Sequence, residues 1–289
     1  MSASGSLHFS KMHGLGNDFV VVDATVQAFT PDAAQLQWLC DRHRGVGADQ
    51  VLVLDPPGQP DVDFDYRIYN ADGSPSGQCG NGARCLMRFI EHRGLSDAHQ
   101  VQVRTSDTTM RLRRCDDGPI CVELAPPALD PAALPSQLRE PAATEYRVEV
   151  PGHGVQQLGL VQVGNPHAVL LVDDVEQAPV EALGRALQAM PLFPASVNVG
   201  FLQVLDRRHA RLRVYERGAG ETLACGSGAC AAAVSGMLRG VLDAEATLHL
   251  RGGDLRIGWE GSLSSPNAPI AMTGAATHVF DGCLTWPNP

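Results

Sequence analysis

Two cysteines stand in closely similar surroundings, and their positions suit acid–base chemistry. Residues 69–85 read YNADGSPSGQCGNGARC and residues 215–231 read YERGAGETLACGSGACA, so Cys79 and Cys225 each open a Cys-Gly-x-Gly-Ala run at the same distance after a tyrosine. A cysteine at the first turn of a helix lies beside unpaired backbone N–H groups and the positive end of the helix dipole, which lowers the thiol pKa from about 8.5 toward neutrality. The glycines let a ligand approach the exposed amides, which can bind a carboxylate.

A pair of such turns suits the inversion of an α-carbon. Inversion needs a base on one face of the carbon and an acid on the other, and the carbanion must be stabilised by groups aimed at the neighbouring carboxylate. Lys11 is the only lysine, so the Schiff base of a pyridoxal-phosphate enzyme has a single candidate and that chemistry is not expected. The sequence therefore predicts a cofactor-independent amino-acid epimerase.

Other interpretations of the two cysteines stay open at this point. Free cysteine is among the most buried residue types, so one such turn alone would be weak support for catalysis. The repetition counts for more, because packing does not require the same element twice. A redox protein that forms a reversible Cys79–Cys225 disulfide and a carboxylate-binding module without catalysis are the alternatives. We interpret the remaining cysteines as structural: Cys40, Cys85, Cys115, Cys121, Cys230 and Cys283.

Composition excludes several classes of function. The net charge of −10 and the pI near 5.4 argue against a nucleic-acid or anionic-membrane partner.

The N-terminal sequence has no signal-peptide pattern, and no segment approaches the roughly 18–20 apolar residues of a membrane span. We therefore expect a cytoplasmic protein with reduced cysteines. CxxC, HExxH, P-loop and GxSxG motifs are missing and the histidines are scattered, so no metal site is expected.

Short β-like runs separated by Gly, Pro and Asp clusters dominate the chain, which predicts hairpins and mixed sheets. Two helices are expected: one with a stripe from Ala83 to Ile90 that ends at Gly94, and one from Ala229 to Leu238 that ends at Gly240. The second is small or apolar nearly all round, as expected of a helix enclosed by sheet. Residues 126–145 are rich in Pro and Ala and are interpreted as an interdomain crossing or a surface insertion. The repeated tyrosine-to-cysteine pattern suggests two copies of one α/β unit.

Longer motifs carry a family resemblance. They are KMHGLGNDF (11–19), GADQ (47–50), YNADGS (69–74), CGNGARC (79–85), GNPHAV (164–169), NVGF (198–201) and ERGAGETLACGSGACA (216–231). In this order they resemble the diaminopimelate epimerase family, over residues 11 to about 282. The resemblance implies an α/β (α+β) fold with two pseudo-symmetric domains, each a mixed or antiparallel β-structure curled around a central helix, and an active site in the interdomain cleft. The implied domains are residues 1–125 with 275–289 returning to them, and residues 126–274.

The resemblance also implies an activity. Members interconvert LL- and meso-diaminopimelate for lysine and peptidoglycan synthesis, without metal or pyridoxal phosphate, and are usually homodimers. A related two-cysteine racemase of the proline or histidine type is the alternative within the same chemistry. Asn70, Asn198 and Arg217, which the resemblance implies as contacts to the distal amino-acid group of the substrate, argue against a proline-type racemase. A second charged head group needs such residues, and proline has none.

The roles of individual residues follow from the resemblance. Cys79 and Cys225 would be the acid and the base, with His167 and Glu216 tuning the thiol pKa values. The remaining implied substrate contacts are Asn17, Gln50, Asn70, Gly80, Asn81, Asn165, Asn198, Glu216, Arg217, Gly226 and Ser227. Pro75 and Gln78 depart from the family pattern just before Cys79, and neither changes the Cys-Gly-Asn-Gly run.

Overall fold

A computed structural model describes residues 6–286, and these fall into two compact units. One unit comprises the residues up to Val122 together with those from Gly274 onward, and the other comprises Glu123–Thr273. No helix in the described range is long and apolar enough to span a lipid bilayer.

The elements alternate between short strands and four helices along residues 6–286. Those of the first half are β1 Ser6–Gly14, β2 Asn17–Asp23, α1 Ala33–Cys40, β3 Gln50–Asp55, β4 Phe64–Asn70, β5 Pro75–Ser76, α2 Gly80–His92, β6 Gln100–Arg104, β7 Thr109–Arg114 and β8 Ile120–Leu124. Those of the second half are β9 Tyr146–Val150, β10 Gly154–Gln162, β11 Pro166–Leu171, α3 Val180–Gln188, β12 Asn198–Asp206, β13 His209–Glu216, β14 Gly220–Glu221, α4 Gly226–Leu238, β15 Glu245–Leu250, β16 Gly253–Gly258, β17 Ile270–Gly274 and β18 Thr277–Thr285.

Strand pairing repeats from one unit to the other. In the first unit β1 and β2 are antiparallel, β2 and β3 parallel, β3 and β4 antiparallel, β4 and β6 parallel, and β6 and β7 antiparallel. In the second unit β10 and β11, β11 and β12, β12 and β13, β13 and β15, and β15 and β16 follow the same sequence of orientations. The pseudo-symmetry expected from the sequence is confirmed in this topology. β18 adds to the first unit by pairing antiparallel with β1.

Each unit encloses one long helix. In the first, α2 contacts β1, β2, β3, β7 and β18, and in the second, α4 contacts β10, β11, β12, β13, β15 and β16. Both predicted helices are confirmed. Residues Gly228–Gly236 of α4 are all buried, because Ala and Gly allow strands to approach the helix on every side. Beyond the two helix ends, Gly94 and Gly240 have φ values of 63° and 70°, the left-handed conformation that favours glycine after a helix.

Residues 126–145 pack onto the second unit. Ala128 pairs with Gln162 of β10, and Leu134 is buried in the hydrophobic core that contains Tyr146 and Leu158. This segment therefore belongs to the second unit, which corrects its interpretation as an interdomain crossing, while eleven of its residues are exposed, as expected of a surface segment. The apolar positions Leu129 and Leu134 lack a helical or strand period, so their burial was not visible as a pattern.

Gly184 of α3 packs against Tyr215, the residue before Glu216 at the end of β13. A Cβ at Gly184 would lie 2.6 Å from Cγ of the Tyr215 ring, whereas a Cβ at Gly200 would meet Leu212 at 3.6 Å. Alanine normally stabilises an exposed helix relative to glycine by about 1 kcal/mol. We expect Gly184→Ala to lower the free energy of unfolding by about 1–3 kcal/mol instead, because the ring must shift. Gly200→Ala is the control; chemical denaturation that ranks the two variants equal would contradict the prediction.

Candidate active site

The first cysteine caps helix α2. Cys79 has extended backbone angles (φ −149°, ψ 105°), and its Sγ accepts a hydrogen bond from the Gly82 N–H at 3.3 Å. A Cβ on Gly82 would lie 3.3 Å from this sulfur and 2.4 Å from the Tyr66 hydroxyl oxygen. Only glycine fits at this third helix position. Gly80 and Asn81, the first two residues of the helix, precede it at the positive end of the dipole.

Asn81 is held by polar side chains of the same unit. Its Nδ2 donates to Asn17 Oδ1 at 3.3 Å, and its Oδ1 accepts from Arg84 Nη2 at 2.8 Å. Arg84 is fully buried and donates through Nε to the carbonyl oxygen of Ala275. Asn17 also donates to Asp49. Two of the residues named by the resemblance, Asn17 and Asn81, are thus in direct contact. Arg84, which anchors Asn81, had no signal beyond its place in the Cys-Gly-Asn-Gly-Ala-Arg run.

Gln50 and Asn70 also meet. They are register partners at the start of β3 and the end of β4, and Gln50 Nε2 donates to Asn70 Oδ1 at 2.9 Å. Asn70 Nδ2 in turn donates to the hydroxyl of Ser74 at 3.0 Å. The two amides are therefore fixed in orientation by each other and by the turn that follows β4.

The second cysteine caps helix α4 in a different chemical setting. Cys225 has φ −122° and ψ 108°, and its Sγ donates to Glu216 Oε2 at 3.0 Å. The other carboxylate oxygen of Glu216 accepts from the Thr222 hydroxyl, while Ser227 Oγ lies 3.7 Å from the sulfur. As in the first unit, the third helix position is crowded: a Cβ on Gly228 would lie 3.1 Å from the sulfur and 3.0 Å from Val214.

This setting keeps Cys225 protonated. Burial raises the pKa of the Cys225 thiol well above its ordinary value, and the negative charge and hydrogen bond of Glu216 raise it further. The N–H of Gly228 and the Ser227 hydroxyl act in the opposite direction but more weakly. The expectation that a helix start lowers the thiol pKa is therefore wrong for Cys225 in this structure, because burial and an adjacent carboxylate outweigh the dipole. Cys225 is a neutral thiol that can give up a proton.

Asn198 and Arg217 form a second polar group in this unit. Asn198 is buried; its Nδ2 donates to the Pro166 carbonyl at 3.2 Å and its Oδ1 accepts from the Arg217 backbone N–H at 2.9 Å. The Arg217 guanidinium is exposed and donates to the carbonyl oxygen of Ala195. Among the described residues no carboxylate forms an ion pair with it, so a planar two-donor edge remains for an anionic ligand.

His167 lies beside Asn165 in the interior. Its Nε2 is 2.8 Å from Asn165 Oδ1, and the ring is 1% exposed. Burial, together with the positive charge of Arg217, lowers the pKa of His167 to about 3. The imidazole is therefore neutral at pH 7. Within the second unit, Glu216 and Ser227 are the side chains at the Cys225 sulfur. No hydrogen bond joins His167 to Cys225 in the described range, so a tuning role for His167 stays a prediction.

Two histidines that are far apart in the sequence, His92 and His278, lie close together with Asp281. His92, His278 and Asp281 of the first unit offer ligand atoms that all lie within 4.8 Å of one another. Asp281 already accepts hydrogen bonds from Ser10 and Arg93, and the positive guanidinium opposes a cation there. The sequence did not reveal this group because His92 ends α2 and the other two residues belong to β18.

The fold is that of several solved structures. A Bacillus anthracis phenazine biosynthesis protein of the PhzF family matches with a TM-score of 0.70 at 14% identity, covering 98% of this chain and 100% of that one. A hydroxyproline epimerase from Agrobacterium vitis matches with a TM-score of 0.70 at 15% identity, covering 100% and 95%. At these identities the likeness defines the fold class alone.

Sequence comparison defines the family. The diaminopimelate epimerase profile matches residues 9–129 and 159–279. Diaminopimelate epimerase of Ectopseudomonas mendocina is 52% identical over 277 residues, which cover 96% of this chain and 98% of the relative. That of Azotobacter vinelandii is 51% identical over 277 residues with the same coverage. The chain belongs to the diaminopimelate epimerase family.

Glu216→Gln tests the cause of the raised Cys225 pKa. The amide removes the negative charge and can donate to a thiolate, so the pKa of Cys225 falls and alkylation at neutral pH accelerates, by about tenfold for each unit of the fall. Peptide mass spectrometry after iodoacetamide treatment over a pH series measures the rate at Cys225. Glu221→Gln is the matched control, because Glu221 pairs with Arg213 and Arg251 instead. Equal rates in the wild type and Glu216→Gln would contradict the assignment.

The buried neutral His167 predicts acid sensitivity. Its folded pKa of about 3 lies below the value near 6.5 of an unfolded chain, so the unfolded state binds more protons in this window and stability falls as the pH falls. A single such group lowers the free energy of unfolding by about 1.5 kcal/mol between pH 6.5 and pH 5. His167→Gln removes this part of the slope, whereas His209→Gln, at an exposed site, leaves it. Urea titrations at both pH values measure it; an unchanged slope in His167→Gln would refute the prediction.

Proposed function

We propose that this chain is an epimerase that interconverts LL- and meso-diaminopimelate with Cys79 and Cys225 as its proton-transfer groups. The observation that carries the proposal is the repeated helix start: in each unit a cysteine sulfur lies against the first turn of a glycine-opened, 13-residue helix. The membership in the family supports the substrate. The contact between Cys225 and Glu216 supports a proton stored on that sulfur.

The chemistry is a balanced exchange of protons. The thiolate of one cysteine removes the α-hydrogen as a proton, and the thiol of the other delivers a proton to the opposite face of the same carbon. The backbone N–H groups of Gly80, Asn81, Gly226 and Ser227 bind the neighbouring carboxylate and stabilise the negative charge that develops on it. After one turnover the two sulfurs have exchanged protonation states, so the enzyme is ready for the reverse direction.

The remaining polar residues recognise the distal amino-acid group. Arg217 supplies a guanidinium for the second carboxylate, and Glu216 supplies a negative charge for the second ammonium group. Asn198 fixes the backbone of Arg217. The other amides of this proposed set are Asn17, Gln50, Asn70 and Asn165. A proline-type racemase has no use for such a set, since its substrate carries a single charged head.

Conversion of LL- to meso-diaminopimelate by the reduced protein, followed by chiral chromatography, tests this function. We expect turnover with diaminopimelate, no racemisation of proline, and loss of at least about a thousandfold in rate in Cys79→Ala and Cys225→Ala, since each removes an acid–base group. Cys121→Ala, at a buried cysteine outside both helix starts, is the control.

The same assay separates the alternatives. Racemisation of proline but not diaminopimelate would assign the chain to the other substrate class. Binding of diaminopimelate that survives both alanine substitutions without turnover would indicate a non-catalytic module. An activity confined to thiol–disulfide exchange would indicate a redox protein.

We also propose that the protein is a cytoplasmic homodimer. A reducing compartment keeps the thiols in the state that proton transfer needs. Two adjacent apolar residues of β18, Val279 and Phe280, are 52% and 47% exposed, and their burial against a second copy of the chain would stabilise a dimer.

Light scattering tests the dimer. Against a chain mass of 30.7 kDa, the wild type is expected at twice that mass. Val279→Glu is expected to be monomeric, because a charge on the apolar strand opposes its burial. Val155→Glu, at an equally exposed site of the second unit, is the control. A wild type of monomer mass at micromolar concentration would contradict the proposal.

A further inference from the structure

The hydroxyl of Tyr66 is a buried polar group with no hydrogen-bond partner in the described part of the chain. Tyr66 lies in β4 and is 1% exposed, and its hydroxyl oxygen is enclosed. Buried hydroxyls are nearly always paired, because leaving one unpaired forfeits its hydration. Among the orphaned polar atoms of the structure, that of Tyr66 lies against a helix start that carries a candidate acid–base group.

The position of this hydroxyl is defined by Gly82. An ideal Cβ on Gly82 would lie 2.4 Å from the phenol oxygen and 3.3 Å from the Cys79 sulfur, so both atoms flank the same backbone unit. The N–H of Gly82 already donates to that sulfur. In the structure the phenol makes no hydrogen bond to this sulfur. Its O–H rotates about the C–O bond, so a small shift of either side chain toward the other would make a charged sulfur its acceptor.

Of the two ionisable groups near the Tyr66 hydroxyl, only Cys79 is expected to carry a negative charge. Cys79 and Cys85 are the groups whose charges act on the phenol. Burial raises the pKa of Cys85 far above its ordinary value, so its side chain stays a neutral thiol. Burial likewise raises the pKa of Tyr66 well above 10, so the phenol keeps its proton and can act as a donor throughout the pH range of the reaction.

The second unit has no such group. Three residues before the tyrosine that opens each repeated run (Tyr69 and Tyr215), the first unit has Tyr66 and the second has Leu212. The atoms next to Gly228 are the Val214 methyl group and Cys225 itself. An apolar side chain is therefore sufficient to pack against this kind of helix start. Packing alone does not explain why the first unit has a phenol there.

We propose that Tyr66 is a positioning residue that donates its hydroxyl to the Cys79 thiolate, so that the charged sulfur is held by two donors, the phenol and the Gly82 N–H. This inference rests on the proposed function, in which Cys79 passes through the thiolate state. Glu216 supports the thiol form of Cys225 and Tyr66 supports the thiolate form of Cys79, which makes the two sulfurs chemically unequal within a repeated architecture.

Tyr66→Phe tests the inference through the pH dependence of Cys79 alkylation, followed at the level of the Cys79 peptide. Loss of the donor moves the midpoint to higher pH and lowers the rate below the midpoint by about tenfold, since a hydrogen bond to an ion is worth about one such factor. The kcat for LL-diaminopimelate falls in parallel on the acid side of its pH profile. A purely structural role would not move the midpoint.

Two other tyrosines provide controls. Tyr69→Phe removes a hydroxyl of the same strand that accepts from Arg67, and Tyr146→Phe removes a buried hydroxyl paired with Ala143 and Pro141. Neither is expected to change the Cys79 midpoint. Below the Cys79 midpoint, where the sulfur is a neutral thiol, Tyr66→Phe is expected to keep or raise the melting temperature, because the lost hydroxyl is unpaired there. Tyr146→Phe is expected to lower it.

An unchanged Cys79 midpoint in folded Tyr66→Phe, or an equal shift in Tyr69→Phe, would overturn the inference. If Tyr66→Phe does not fold, wild-type protein labelled with 3-fluorotyrosine replaces it in the test. The fluorinated phenol is more acidic and therefore a stronger donor, so we expect the Cys79 midpoint to move to lower pH. An unchanged midpoint would overturn the inference. Alkylation is measured without substrate. Failure here with an active wild type rejects the role of Tyr66 alone, and an inactive wild type rejects the proposed function.

Discussion

The close approach of a cysteine sulfur to the first turn of a helix is the constraint on which the rest of the structure depends. It requires a helix residue without a side chain three positions after the cysteine, and Gly82 and Gly228 meet that requirement in the two units. It also requires strands that enclose each helix closely, which the small residues of α4 permit. Side chains of strands β4 and β13 lie beside these helix starts, Tyr66 at Gly82 and Val214 at Gly228.

The repetition is topological, while the chemistry differs between the units. The residue after the tyrosine is Asn70 in β4 and Glu216 in β13. Asn70 is an amide engaged with Gln50 and Ser74, whereas Glu216 is a carboxylate that accepts a hydrogen bond from Cys225. A carboxylate raises the pKa of a neighbouring thiol and an amide does not. Two similar elements can therefore hold an acid and a base, which a symmetric pair of identical sites would not do.

Much of the fold could be predicted from the sequence because its signals are local. The two helices expected from their apolar stripes form as α2 and α4, and each is followed by the expected glycine, Gly94 or Gly240. α1 was not predicted, because it has only eight residues and its signal is confined to the Asp32–Gln35 capping box. α3 follows Pro179 and has no side-chain cap. β18 exposes side chains on both faces and so lacks the alternation that marks a strand.

The site was predictable to a lesser degree. The two helix starts follow from spacing, but the protonation state of Cys225 depends on its burial and on Glu216, which are properties of the folded chain. Thr222 and Arg84 lie within motifs but had no role assigned from the sequence, and Tyr66 lies outside every motif. Their roles follow from contacts in the folded chain: Thr222 donates to Glu216, Arg84 donates to Asn81, and Tyr66 packs against Gly82.

The central claim is that two different sulfurs transfer the proton, and its most direct test is the fate of deuterium early in the reaction. LL-diaminopimelate is incubated with the enzyme in D2O, and the remaining LL isomer and the first meso product are separated and analysed by mass spectrometry. Two groups on opposite faces predict a meso product that carries one solvent deuterium and a recovered LL isomer that carries none. Meso product that retains the substrate hydrogen, or recovered LL isomer labelled as fast as the product, would show a single proton-transfer group and contradict the account.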